Sequence, residues 1–249
     1  MKGTVKTDDA RWSRTPPLAI RGLWCGVVLL GMIGVAAALG RGVFPADLTS
    51  GAEPFRQRLL RALHREDPFV LQRAEELRLV DSRFAAHPYA TLLHVLPGGI
   101  FLVLAPFQFS SRVRNRHIRF HRWSGRLLVV VGSVAALTGL YFGLLMPYGG
   151  RGEATAVALF GGLFLAAVGR AFVAIRRGQV ACHREWMIRA FAVAIGVSTV
   201  RVVAAVLDIT LTPAGFGPKA IFVLSLWTGW AITLGPAELW ITYTRPRAH

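Results

Sequence analysis

Cysteine is nearly absent from this chain of 249 residues, which contains only Cys25 and Cys182. Cys25 lies within an apolar stretch and Cys182 within a basic segment, so a disulfide between them is not expected. The sequence has no Cys-x-x-Cys-His motif, which excludes the usual covalent attachment of c-type haem. It also lacks a Walker A motif and a dinucleotide-binding glycine motif, so no motif indicates a nucleotide site.

Acidic residues are also scarce, with 13 Asp and Glu against 29 Lys and Arg, which gives a formal net charge of +16. In a soluble protein such a charge would indicate nucleic acid as the partner. Here 53% of the residues are hydrophobic, the mean hydropathy is +0.47, and the basic residues fall in short segments between apolar stretches. That pattern is typical of the positive-inside rule, so we expect the lipid bilayer, and not nucleic acid, as the partner.

Apolar stretches of about 20 residues or more recur along the chain, and each is long enough to cross a bilayer core. We predict an all-α polytopic membrane bundle of six transmembrane helices. The predicted parts are a cytoplasmic tail (1–17), a first transmembrane helix (18–40), an extracytoplasmic loop with short amphipathic helices (41–88), a four-helix core (89–212), and a last transmembrane helix with a cytoplasmic tail (213–249). Spans two to six are predicted at 89–109, 123–146, 154–175, 187–211 and 220–243.

The distribution of Lys and Arg predicts the orientation of these spans. Both terminal tails and the segments 110–122 and 176–189 are basic, whereas the short loops on the other side contain only Arg151 and Lys219. Both termini are therefore predicted to be cytoplasmic, in a multi-pass protein of a bacterial inner membrane. Ala36-Ala37-Ala38 also fits a signal-peptidase site, but the length of the first apolar stretch favours an uncleaved anchor.

Two segments of similar sequence stand where basic loops meet apolar stretches. The first histidine box is His121-Arg122-Trp123-Ser124-Gly125-Arg126, and the second histidine box is His183-Arg184-Glu185-Trp186-Met187-Ile188-Arg189. Residues 98–102 and 161–165 are also similar, at an offset of 63, close to the offset of 62 between the two histidines. Spans two and three either repeat as spans four and five about an axis along the membrane normal, or resemble them by chance.

The two boxes are the first candidate site. Two histidines on facing helices commonly hold haem, so His121 and His183 are candidate axial ligands of one b-type haem. Gly125 lies one turn after His121, where a missing side chain would admit a flat macrocycle. Arg122 and Arg184 are candidate partners of the haem propionates, because guanidinium groups match carboxylates. The alternative is that these residues belong to the membrane boundary and cap their helices.

A second haem is not expected. His94, near the start of span two, would be one ligand of an outer pair, but the repeat places Val157 opposite it and span four contains no histidine. His117 precedes His121 by four residues, a spacing that is compatible with metal binding. No acid or thiol accompanies these two histidines, so we expect no metal site.

An outer polar pocket is the second candidate site. Arg201 lies well inside span five, where a charge is costly and is usually paired or exposed to water. Asp208 follows seven residues later on the same helical face, and His94 lies in the same outer half. These three residues either line a pathway for a proton or small molecule, or form a structural network that fixes helix register.

The chain resembles a family of bacterial predicted membrane proteins, domain of unknown function 2306. The resemblance covers roughly residues 85–212 and rests on the two histidine boxes together with His94, Gly99, Pro106-Phe107-Gln108-Phe109, Arg112 and Arg201. It implies a membrane bundle and brings no activity, substrate or cofactor. A more distant likeness to membrane b-type cytochromes rests on histidines near helix ends, and the lack of a histidine in span four departs from the di-haem pattern.

Three functions are open at this point. The first is a redox component that holds one haem b near the cytoplasmic face. The second is a non-catalytic accessory subunit of a larger membrane complex. The third is a small-molecule or proton pathway through the outer polar pocket. The sequence names no reaction and leaves open whether the protein is an enzyme.

Overall fold

The fold is all-α, as predicted, in a computed structural model that describes residues 25–26, 28–36 and 82–245. The helices are α1 (Pro88–Gln108), α2 (Ser111–Arg116), α3 (Ile118–Leu145), α4 (Gly150–Arg176), α5 (Val180–Leu211) and α6 (Pro218–Thr244). Five of these helices, all except α2, are long and apolar enough to cross a membrane. The chain is therefore a multi-pass membrane protein, as its hydropathy predicts.

The first predicted transmembrane helix is described only in part, and its residues 25–26 and 28–36 are helical. This segment lies against α1 and α5, because a side chain added at Gly34 would meet Leu102 of α1 and Ser198 of α5. The predicted tail 1–17 and residues 41–81 of the predicted outer loop lie outside the described residues. The count of six spans and the orientation of the bundle stay predictions.

All five long helices begin earlier than the predicted spans, and α3 and α5 do so by the most residues. The structure starts α3 at Ile118 and α5 at Val180, five and seven residues before the predicted starts at 123 and 187. Arginine is a good helix former, so a basic segment continues a helix where hydropathy marks a loop. The 28 residues of α3 give a length of about 42 Å at 1.5 Å per residue, longer than a hydrocarbon core of about 30 Å. Both histidine boxes therefore lie within helices, near their starts.

Helices that follow one another in the chain pack as antiparallel neighbours. The pairs are α1 with α3, α3 with α4, α4 with α5, and α5 with α6. A smaller contact between α1 and α5 closes a group of four helices, and α6 packs outside it against α5 and α4. Among the described helices of this group, α3 and α5 are not packed side by side and stand on a diagonal.

The core is formed along one face of α4, which lies between α3 and α5. Ala156, Ala167 and Ala171 of this face are fully buried, with Phe160 and Phe164 between them. Their spacing of three and four residues keeps all five on one side of the helix. Small residues at these positions allow neighbouring backbones to approach closely, which is how helices associate in a membrane.

One end of the bundle is held by a buried ion pair. Arg83 precedes α1, and its Nη1 lies 2.7 Å from Oε1 of Glu153 in the first turn of α4. The two side chains are only 12% and 4% exposed. Arg83 also donates to the carbonyl of Met146, and Glu153 accepts from the backbone N–H of Gly149. This network fastens the segment before α1 to the turn between α3 and α4.

We expect Glu153→Gln to destabilise the protein by about 3–5 kcal/mol, because it leaves the Arg83 guanidinium buried without a counter-charge. The thermal unfolding of the purified protein in detergent measures this change. Arg151→Gln is the matched control, because Arg151 is exposed in the same turn of α4. The double variant Arg83→Met/Glu153→Met is expected to be more stable than Glu153→Gln. An unchanged melting temperature for Glu153→Gln would show that the pair does not fasten this end.

Candidate functional site

The two histidine boxes lie at the same end of the bundle and in the same helical register. His121 is the fourth residue of α3, and His183 is the fourth residue of α5. Both helices start at this end, because α4 runs between them in the opposite direction. The helices that carry the two histidines are not packed side by side among the described helices. The structure therefore places the two predicted haem ligands in the same register at one end of the bundle.

His183 has its ring fixed by the backbone of α4. Its Nδ1 lies 2.9 Å from the carbonyl oxygen of Ala171, which is fully buried. A carbonyl can only accept, so Nδ1 donates the hydrogen and Nε2 keeps a free lone pair. A backbone carbonyl bonded to one ring nitrogen is the usual support for a histidine that binds a metal through the other.

His121 has a buried ring nitrogen without a partner. Its Nδ1 makes no hydrogen bond within the part of the chain that the structure describes. Leaving a buried donor or acceptor unsatisfied costs about 1–3 kcal/mol, so such an atom calls for an explanation. The two histidines therefore differ: one is oriented by the backbone, and the other retains an unused polar atom.

The rest of the first histidine box joins α3 to α1. The Oγ of Ser124, fully buried, accepts from Nε2 of Gln108 at 2.7 Å and donates to the carbonyl of Phe120 at 2.6 Å. A side chain added at Gly125 would meet Oε1 of Gln108 at 3.3 Å. The side-chain amide of Gln108 thus occupies the space beside Gly125, where the sequence predicts a haem macrocycle. Arg122 is exposed and lies within electrostatic range of His121.

The second histidine box joins α5 to the end of α6. Nη2 of Arg184 donates to Oγ1 of Thr244 at 2.9 Å. Glu185 accepts two hydrogen bonds from Arg245, at 3.0 and 2.8 Å. The hydrogen bond and charge of Glu185 raise the pKa of Arg245, which keeps this guanidinium charged. Arg184, a predicted propionate partner, is thus directed toward α6.

Two further residues of the second box extend these contacts to α4. Arg189 forms a two-pronged ion pair with Glu238 of α6, at 2.6 and 2.8 Å. The ring of Trp186 lies between two guanidinium groups, 4.7 Å from that of Arg189 and 4.9 Å from that of Arg170 on α4. Contacts of this kind hold α4, α5 and α6 together at the end where the two histidines lie.

The residues of the predicted outer pocket lie on two different helices. His94 is at the interface of α1 and α3, where its Nδ1 donates to the carbonyl of Ala135 at 2.8 Å. Arg201 is on α5, and its Nη1 donates to the carbonyl of Val197 in the preceding turn. Asp208 lies two turns further along α5. The pocket formed by the three residues stays a prediction.

Residues 91–241, more than half of the chain, match a protein family described as Predicted membrane protein (DUF2306). The chain belongs to this family. The match confirms the family resemblance and extends it from residue 212 to most of α6. No curated protein and no solved structure matches the chain.

Sequence reasoning misses two polar contacts of this DUF2306 protein. Gln108 with Ser124, and Arg83 with Glu153, each join helices at one end of the bundle. The sequence does contain an indication of both contacts, because an amide or a carboxylate within an apolar stretch requires a polar partner. Within the residues that the structure describes, no cluster of three or more His, Cys, Asp or Glu could hold a metal ion.

We expect Ser124→Ala to destabilise this DUF2306 protein by about 1–3 kcal/mol, because the amide of Gln108 loses its buried acceptor. Unfolding in detergent, followed by tryptophan fluorescence, measures the change. The double variant Gln108→Leu/Ser124→Ala removes both polar groups and is expected to recover most of the loss. If the double variant is no more stable than Ser124→Ala, the hydrogen bond is not what joins α1 to α3.

Proposed function

We propose that the protein is a membrane redox component that binds one b-type haem between His121 and His183, at the arginine-rich end of the bundle. The observation that carries this proposal is the placement of His121 and His183 in the same register on two helices that start at the same end of the bundle. A haem iron takes two axial ligands from opposite sides of a flat ring. His121 and His183 would hold the iron from two helices of the four-helix group that are not packed side by side.

The state of the two rings fits iron ligation. His183 donates through Nδ1 to a backbone carbonyl, so its Nε2 is available as a neutral ligand. The buried Nδ1 of His121 has no hydrogen-bond partner among the described residues, so this nitrogen is available as a second ligand. Many b-type cytochromes bind their haem iron through two neutral imidazoles as axial ligands.

Charged residues near the rings could balance the haem carboxylates. Arg114 and Arg122 lie within electrostatic range of His121, and no ion pair among the described residues uses either guanidinium. Arg184 is hydrogen-bonded to Thr244, so we assign the haem propionates to Arg114 and Arg122. We place this end on the cytoplasmic side, because the basic connections gather there.

The proposal includes one haem only. The helix α4 contains no histidine, and the known hydrogen bond of His94 is to α3. When bound, the haem supplies one-electron transfer. The protein would hold it near one face, and the helices that the structure describes offer no second pair of histidines for a relay across the membrane. The electron donor and acceptor would therefore approach from the same side, or a partner subunit would provide the second half of the path.

A non-catalytic accessory subunit is the second candidate function. It is favoured by the observation that the polar residues of the second histidine box bond mainly to α6 and α4. Those contacts give the box a structural role whether or not a haem is present. A colourless protein that purifies with stoichiometric membrane partners would support this candidate over the redox proposal.

We expect the protein, purified after expression with a haem precursor, to show a Soret absorption band. His121→Ala and His183→Ala should each remove most of the bound haem, because each takes away one axial ligand. His117→Ala is the matched control: His117 is exposed at the start of the same helix, and its loss should leave the band unchanged. A folded wild-type protein that stays colourless after haem is added would rule out the redox proposal.

A further inference from the structure

A cluster of basic residues lies between α1 and α3 and at the start of α3. The helix α2 (Ser111–Arg116) is capped by Ser110, whose Oγ accepts from the backbone N–H of Val113. The arginines of this cluster are Arg112, Arg116, Arg119 and Arg122, which are exposed, and Arg114, which is half-buried. No ion pair among the described residues involves any of them. The charges of Arg116 and Arg119, which the haem proposal does not use, are therefore available to an anionic ligand.

An open cleft lies within this cluster, at the junction of α2 and α3. It has a volume of about 410 Å³ and is lined by Arg116, His117, Ile118, Arg119 and Phe120. The two helices meet at His117, whose backbone leaves the helical conformation. Arg116 and Arg119 both line this surface next to the change of direction. Two guanidinium groups and an imidazole so arranged suit a phosphate group.

The same surface exposes large apolar side chains. Ile118 and Phe120 are each 41% exposed, and Trp123 is 62% exposed. Arg119 and Trp123 are four residues apart on α3, so they share one face of the helix. A cationic group next to exposed aromatic rings matches a ligand with a charged head and an apolar tail. A free phosphate ion would use only the cationic part.

The position of the cleft along α3 agrees with such a ligand. The helix is longer than the hydrocarbon core by about eight residues, at roughly 20 residues for a crossing. We assign its first two turns to the level of the lipid headgroups, because they contain Arg119, Arg122 and Trp123. Aromatic and basic side chains are both favoured at this level.

We propose that this cleft binds an anionic phospholipid, with its phosphate between Arg116 and Arg119 and its acyl chains along Phe120 and Trp123. A basic residue near an anionic membrane surface contributes to lipid binding through its charge. Here the two arginines, the cleft and the exposed rings together define one lipid position. The site is separate from the haem proposal and does not depend on it.

The test is a titration of the purified full-length protein with phosphatidylglycerol, followed by native mass spectrometry, with phosphatidylcholine in parallel. We expect the double variant Arg116→Gln/Arg119→Gln to bind phosphatidylglycerol about 30-fold more weakly than the wild type. Arg176→Gln/Arg177→Gln is the matched control. It removes two exposed arginines at the same end of the bundle and should leave this affinity unchanged.

Three results would overturn the proposal. An equal loss of affinity for phosphatidylglycerol in both double variants would show that the lipid is attracted by surface charge in general and not by a specific site. Equal binding of phosphatidylcholine by the wild type would show that the headgroup charge is not recognised. Displacement of phosphatidylglycerol by inorganic phosphate would show that the cleft takes a free anion in place of a lipid. Thermal unfolding of each variant verifies that it is folded under the conditions of the titration.

Discussion

Helices in a hydrocarbon core gain little by hiding apolar side chains from one another, since lipid tails are equally apolar. Association then depends on close backbone approach and on polar contacts between helices. Both occur here. The small residues of α4 permit close approach at the centre, and polar contacts fasten the two ends, with Arg83 and Glu153 at one and Arg189 and Glu238 at the other. Between them, Nε1 of Trp230 donates to the carbonyl of Val193 at 3.0 Å and joins α6 to α5.

The same constraint sets the geometry of the candidate site. Because α4 packs between α3 and α5, these two helices stay apart on a diagonal and start at the same end. The histidines then occupy equivalent positions, with the Ala171 carbonyl of α4 as the support for His183. The salt bridges of the second box hold α5 against α6. The packing of these helices thus sets the register of the two histidines.

Hydropathy and motif spacing predict the membrane class, the approximate helices and the pair of boxes. They do not predict which side of each helix faces a neighbour, because lipid-facing and core-facing positions are both apolar in a membrane. Gly125 illustrates this. Its spacing from His121 is evident from the sequence, whereas its contact with Gln108 depends on how α1 is rotated about its own axis. The starts of α3 and α5 are missed for another reason, since arginine lowers hydropathy without ending a helix. The partners of Arg184 and Arg189 come from α6, far away in the sequence, and no local pattern indicates them.

Electron paramagnetic resonance of the oxidised, haem-supplemented wild-type protein tests the central claim most directly, because the signal reports the axial ligands of the iron. Ligation by both His121 and His183 predicts a low-spin ferric signal typical of bis-histidine coordination. A high-spin signal would mean that one of the two positions is empty or held by a weak ligand, and it would contradict the account. A folded protein with no iron signal at all would contradict it as well.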